Sequence, residues 1–409
     1  MSDGITFETP LDLPCGARVK NRFLKSAMSE QLGDRALNPS DALATLYGTW
    51  ADGGLGVAVT GNVMIDRSAL GEPRNVVLDD ASDLKLFERW AEAGRRNNTH
   101  VWMQLNHPGK QSPSILSRHP VAPSAVPLGG SLGAFFKTPR ALTGDEIEAI
   151  IARFAHAAEL AKKTGFTGVQ IHGAHGYLVS QFLSPHHNRR DDAWGGSAEN
   201  RRRFAVEVYR AIRARVGASF PVSIKLNSAD FQKGGFTEDE SMGVVEALAA
   251  EGVDLIEVSG GTYEAPAMTG FAVAASTKAR EAYFTEFAER VRTRVKVPLA
   301  VTGGFRSGAA MLAALQSATD LIGLARPLAV CPDFPARLLR DPSASVTIKR
   351  PTTGVKAIDR ASMLDITYYE TLLDRIGHGR PAGDSLSPWS ALASTVAKMG
   401  VSALIPRRA

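Results

Sequence analysis

Cysteine is scarce: Cys15 and Cys331 are the only two in 409 residues, far apart in sequence. Two distant thiols make neither a CxxC metal or cluster motif nor a disulfide framework, which fits a reducing compartment. Long apolar runs are missing too, and none approaches the roughly 20 residues of a membrane span. The start, Met1-Ser2-Asp3-Gly4, lacks the basic-then-apolar form of a signal peptide. These absences predict a soluble, cytoplasmic protein with no membrane partner. Charge of one sign is also in short supply: 47 Lys and Arg against 42 Asp and Glu leave +5. The one basic run, Arg201–Arg203, reads as a solvated helix face. Nucleic acid is therefore not indicated as a partner, whereas a small anionic ligand is compatible.

What the chain does contain is a regular alternation of apolar runs and amphipathic stretches. Strands are predicted at Arg22–Met28, Leu55–Thr60, His100–Leu105, Gly168–Ile171, Val222–Asn227, Leu255–Ser259, Pro298–Thr302 and Leu321–Leu324. Helices are predicted from Pro39 to Gly53-Gly54, at Ser82–Arg96, from Thr143 to about Thr164, from Ser197, from Thr237 to Gly252, and at Tyr283–Val295, Ser307–Gln316 and Pro335–Arg340. Thr143 with Glu146 and Thr237 with Glu240 are capping boxes. Eight strand–helix units whose strands are apolar throughout predict an α/β (β/α)8 TIM barrel over residues 1–340, preceded by an N-terminal hairpin. An open doubly wound sheet would want a Gly-rich turn after the first strand, and Ser26–Gln31 offers none. The long connection from Asn106 to Leu142 reads as a lid over a site. Residues 341–409 read as a C-terminal extension packing on the barrel or forming a subunit contact in a homo-oligomer, with one amphipathic piece at Pro388–Leu404.

The stretch Val169–Gln181 is the richest in chemistry. A strand ends by delivering His172, His175 and Tyr177 within six residues, with Gly173 and Gly176 turning the backbone between them. Two imidazoles and a phenol in one place suit the binding of an oxygen and the movement of a proton. In a barrel the carboxyl ends of all strands converge on one mouth. That mouth would collect Ser26–Ser29, Thr60-Gly61, Gln104, His107, Lys225, Asn227, Ser259, Thr302-Gly303-Gly304 and Ala325-Arg326. A Gly-Gly turn into a helix after the seventh strand, with an Arg after the eighth, forms a phosphate seat of backbone N–H groups, helix dipole and guanidinium fork. Gln104 carries a donor and an acceptor for a ring imide edge, and Lys225 a fixed positive charge. Two other chemistries compete on residues alone. Lys225 could form a Schiff base. A metal-dependent hydrolase or lyase could use His107, His172, His175 and His186 or His187, although Asp230 and Glu257 are the only carboxylates near at hand.

Several segments together resemble the old yellow enzyme family of FMN-dependent ene-reductases: Lys20–Met28, Gln104–Gly109, Ile171–Leu178, Phe182–Pro185, Trp194–Arg201 and Gly323–Arg326, in matching order across the barrel. The resemblance implies FMN, with its phosphate at Gly303, Gly304, Ala325 and Arg326 and Lys225 near N1 of the ring. It implies that Gln104 meets the pyrimidine edge, that Ser26, Ala27, Met28, Ser29 and Gly61 line the ring, and that His172 borders the cofactor as well as the substrate. His172 and His175 would grip a substrate carbonyl oxygen and Tyr177 would donate the proton. NADPH or NADH would supply hydride, and the substrate would be a small electrophilic alkene, an α,β-unsaturated carbonyl or nitro compound. Oxidative demethylation or NADH oxidation are alternatives on the same fold. Ala27 stands where many relatives have Pro, Ser29 where they have Thr or Cys, and Gln31 where some have a substrate-contacting Tyr. Larger relatives carry a cysteine cluster for iron–sulfur; two distant cysteines cannot, so FMN is expected to be the sole prosthetic group.

Overall fold

The computed structural model describes residues 4–262, 284–383 and 386–399. Eight parallel strands close on themselves: β1 Phe23–Lys25, β2 Val57–Met64, β3 His100–Asn106, β4 Gly168–Gly173, β5 Val222–Asn227, β6 Leu255–Ser259, β7 Leu299–Thr302 and β8 Leu321–Leu324. Closure comes from pairing of β1 with both β8 and β2, so the barrel expected from the apolar runs is the one observed. Nearly every residue of these strands is buried, because helices cover the outside while side chains fill the inside. The helices start where local chemistry prescribes. Gly144–Lys163 opens with a complete capping box from Thr143 and Glu146, and Glu238–Ala250 with one from Thr237 and Glu240. Ser197 caps Ala198–Val216 by accepting from Asn200 N. Tyr283, the expected start of the helix now seen at Thr285–Arg292, lies outside the described residues.

The barrel interior is divided along its axis. A hairpin, Leu11–Asp12 paired antiparallel with Arg18–Val19, precedes β1. Its Leu11, Leu13 and Val19 pack with Leu24, Val57, Val59, Trp102, Leu255, Ala300 and Leu321 into an apolar cluster separate from the core outside the strands. This apolar plug fills one end. The polar interior residues Ser26, Gln104, Gln170, Lys225 and Glu257 stack beyond it, toward the carboxyl ends of the strands. Strand register lines them up: Gln104 pairs with Gln170, His172 with Lys225, and Lys225 with Glu257.

Two expectations change. Residues 107–142 are a buttress: among the described residues of this segment none lines the cavity described below. Gln111 Nε2 donates to His175 O at 3.0 Å and Leu178 N to His107 O at 3.0 Å, so this segment supports the His175–Tyr177 turn from behind. The extension, in turn, is more ordered and closer to the cavity than its composition suggested. It forms helices at Lys356–Ala361, Leu364–Gly377 and Pro388–Met399. The second buries Leu364, Tyr368, Tyr369, Leu372, Leu373 and Ile376 and packs on the helix Asp41–Asp52. A Cβ at Gly377 would lie 2.7 Å from Ala42 O, so glycine sets that close approach. No capping residue announces the helix; Met363 at its start has φ 49°. Among the described residues no helix is long and apolar enough to cross a membrane.

Candidate active site

At the carboxyl ends of the strands lies a cavity of about 450 Å³, within the ~300–1,000 Å³ usual for small-molecule sites. Of the residues singled out in the sequence, Ser26, Ala27, Met28, Ser29, Gln104, His172, His175, Tyr177, Lys225, Gly303, Gly304, Ala325 and Arg326 all line it. Positions 26 and 326 share one wall only because the barrel closes.

His172 is the last residue but one of β4, and Tyr177 follows after a tight turn in which His175 has φ 61° and Gly176 φ 76°. The left-handed backbone at His175 swings its ring back toward His172. The two imidazoles meet edge to face, His172 Nε2 3.2 Å from His175 Nδ1. Each is tethered on its far side: His172 Nδ1 lies 2.8 Å from Asn62 Oδ1, and His175 Nε2 lies 2.9 Å from Ser259 Oγ. Asn62 Nδ2 also donates to the Tyr177 hydroxyl at 3.3 Å, so one amide orients two members of the trio. Asn62 and Ser259 were invisible in the sequence reading as partners. Their signal is positional, one residue past Gly61 on β2 and the last residue of β6.

The floor is ionic. Lys225 Nζ lies 3.0 Å from Glu257 Oε1 and donates to Ser26 Oγ at 2.7 Å. Glu257 also accepts from Ser26 Oγ, from Thr302 Oγ1 at 2.7 Å and from Gln170 Nε2 at 2.9 Å. Burial alone would raise this carboxyl, but the Lys225 charge and these donors hold it below its ordinary value. With its ammonium engaged by a carboxylate, Lys225 is built as a fixed charge, not as a Schiff-base nucleophile.

Three sites differ from expectation. Gly61 is outside the cavity lining, and its N–H is taken by Glu30 Oε2 and by the Tyr47 hydroxyl, both at 3.1 Å. A Cβ there would fall 2.1 Å from Glu30 Oε2, so glycine is required by packing. Gln31 also lies outside the lining; its amide donates to Glu72 and, at 3.0 Å, to Glu370 of the extension. The helix after β7 begins at Gly308 with Ser307 as its own cap, so the Gly303-Gly304 turn (φ 133° and 91°) is separated from that helix dipole. Ser29 does line the cavity, and its hydroxyl is directed at Glu72, 2.7 Å from each carboxylate oxygen. The extension adds Asp365, Ile366, Tyr369, Glu370 and Leu373 to the wall, which sequence motifs had no means of signalling.

The residues present fit FMN. Gln104 Oε1 is buried and accepts no hydrogen bond among the described residues, as a cradle awaiting an imide N–H would. Lys225 sits in the same floor, and at the opposite end Gly303 and Gly304 present backbone beside Arg326. They do not fit a metal ion. His107 is buried, its Nδ1 engaged by Gly109 N at 3.1 Å and burial pushing its pKa down to about 4. Among the described residues no three His, Cys, Asp or Glu side chains converge as ligands.

The sequence pattern of the NADH:flavin oxidoreductase / NADH oxidase family matches residues 7–342. The NADH-dependent flavin oxidoreductase iccE of Talaromyces variabilis is 38% identical over 362 residues, covering 82% of this chain and 86% of that protein. The NADH-dependent flavin oxidoreductase iliE of Neonectria sp. is 39% identical over 362 residues, and there the chain spans about half of the relative's length, 47%. Among solved structures, morphinone reductase in complex with tetrahydroNAD superimposes with a TM-score of 0.68 at 26% identity, covering 85% of this chain and 93% of that one. Barrel, cavity and kinship agree, and the chain belongs to the NADH:flavin oxidoreductase / NADH oxidase family, a family of FMN-dependent oxidoreductases.

Proposed function

We propose that this cavity reduces the C=C bond of an α,β-unsaturated carbonyl or nitro compound with electrons from NADH or NADPH. The observation that carries the reading is the trio itself: two facing imidazoles and a phenol, held by Asn62 and Ser259, at the rim of a cavity fit for a flavin. Bound FMN supplies the hydride chemistry, accepting from the nicotinamide and giving to the alkene. The chain's own residues supply position and charge. His172 and His175 hold the acceptor's oxygen, and their N–H groups meet the negative charge that builds there as the β carbon takes hydride. The 3.2 Å contact between the rings opens to admit that oxygen, while the far-side tethers to Asn62 and Ser259 keep both rings aimed at it. Tyr177 is 2% exposed, and its oxygen already accepts from Asn62. That donor favours the phenolate left behind when the hydroxyl proton goes to the α carbon.

Phenols test the oxygen grip, because a phenolate mimics the developing enolate. The wild-type protein should bind them with a long-wavelength charge-transfer band over oxidised flavin and should consume enones under NADH or NADPH. Replacing His172 and His175 together by Ala should remove the band and weaken phenol binding roughly 10²–10⁴-fold, for two charge-assisted hydrogen bonds at about 1.5–3 kcal/mol each. A band of full strength in that double variant would mean that another group holds the oxygen.

Arg326, the first residue of the short helix Arg326–Val330, is assigned to the phosphate of FMN. Arg326→Ala should weaken FMN binding about 10–100-fold, through loss of a charge-assisted fork worth roughly 1.5–3 kcal/mol. Quenching of flavin fluorescence on titration into apoprotein measures it, and an unchanged affinity would move the phosphate elsewhere.

A further inference from the structure

Three side chains cross the cavity floor in a row. Gln104 on β3 donates from Nε2 to Gln170 Oε1 on β4 at 2.7 Å, and Gln170 Nε2 donates to Glu257 Oε2 on β6 at 2.9 Å. Gln104 is 1% exposed and the other two are fully buried. A buried amide can usually be turned either way, because its oxygen and nitrogen ends have nearly the same shape. A carboxylate removes that freedom, since once ionised it can only accept. Glu257 is kept ionised by Lys225 at 3.0 Å and by the hydroxyls of Thr302 and Ser26. Gln170 must therefore turn its NH₂ toward Glu257 and its oxygen toward Gln104. Gln104 must in turn donate to that oxygen. Its own Oε1 is then left as a buried acceptor without a partner among the described residues, on a side chain that lines the cavity.

We infer that Glu257 is a positioning residue that acts through Gln170 to fix the polarity of Gln104, so that whatever sits there must present an N–H donor. The inference rests on the reading of Gln104 as the contact to the pyrimidine edge of FMN, whose imide N3–H is such a donor. Buried hydrogen-bond chains polarise one another, so the carboxylate also strengthens the final acceptor. The same residue has a second duty: it balances the charge of Lys225 in the floor. The two duties are separable, because Gln170 belongs only to the first.

The test uses apoprotein reconstituted with ¹⁵N-labelled FMN, reading the dissociation constant and the N3–H resonance. Gln170→Leu, which cuts the relay and leaves the Lys225–Glu257 pair, should weaken FMN binding about 5–50-fold and move the N3–H proton upfield. Glu257→Gln should share both effects and, in addition, raise the flavin midpoint potential, because Lys225 keeps its charge and loses its counter-charge. Gln170→Leu should leave the potential near that of wild type. Gln170→Met replaces the Leu variant should the branched side chain prevent folding, which thermal melting of the apoprotein reports. Gln104→Ala separates the two layers of the argument. If it binds FMN as wild type does, the pyrimidine-edge reading falls and takes the relay with it. If Gln104→Ala is weakened while the Gln170 variant keeps wild-type affinity and an unmoved N3–H resonance, the relay alone is overturned.

Discussion

Tyr177→Phe should leave flavin reduction by the nicotinamide within about threefold of wild type and slow alkene reduction by roughly 10²–10⁴, the usual share of a positioned general acid. The substitution is clean because the phenol is 2% exposed and its ring lies 4.6 Å from that of His172, so Phe preserves the packing and removes a single O–H. Hydride transfer into the flavin needs no proton from this position, whereas saturation of the alkene does. Asn62 would lose one of its partners and keep its bond to His172, so the oxygen grip should persist and phenols should still bind. Nitroalkenes should lose less than enones, since the nitronate they form survives without immediate protonation. Stopped-flow measurement of each half-reaction decides the matter. Equal losses in both halves, or none in either, would end the claim that Tyr177 delivers the proton.

The largest effect on stability is expected at Lys25, behind the same wall. Its ammonium is fully buried and reaches Glu30 Oε1 at 2.7 Å, the Tyr47 hydroxyl at 2.8 Å and Val59 O at 2.8 Å, under the faces of Tyr47 and Trp50. Burial lowers the Lys25 pKa and the Glu30 charge pulls it back. Lys25→Met keeps the stem and deletes the charge, which strands the Glu30 carboxylate with only the Tyr47 hydroxyl and the Gly61 amide among the described residues. Leaving one partner of a buried pair uncompensated costs about 3–5 kcal/mol. The urea midpoint of Lys25→Met should fall accordingly, and adding Glu30→Gln should recover much of the loss, because no ionised group then remains buried alone. A single-variant loss under about 1 kcal/mol, or a double variant no better than the single, would show that the pair is not the anchor of this wall.

How much of this was legible beforehand differs by level. The capping boxes at Thr143 and Thr237 were readable because an N-cap is satisfied within four residues of itself. Barrel strands were readable as runs, but their inward and outward residues were not. With both faces buried, hydropathy does not alternate, so nothing in Leu255–Ser259 announces that Glu257 points into the floor. The helix Leu364–Gly377 escaped for a related reason, lacking both a cap and a catalytic motif, yet it supplies part of the cavity wall.

Residue chemistry alone determined that the carboxyl ends of the strands share one mouth, because strand–helix alternation sends every one of them to the same side of a barrel. It determined as well that His172, His175 and Tyr177 belong together, since six residues around two glycines leave them little room to part. What each group is free to do was decided only by the folded chain. The Gly61 amide is spent on Glu30 and Tyr47, the Ser29 hydroxyl points at Glu72, and Gln31 reaches Glu370 from more than three hundred residues away. A hydrogen-bonding group has few places for a partner, and the partner that fills them is chosen by distance in space, which the order of residues along a chain does not contain.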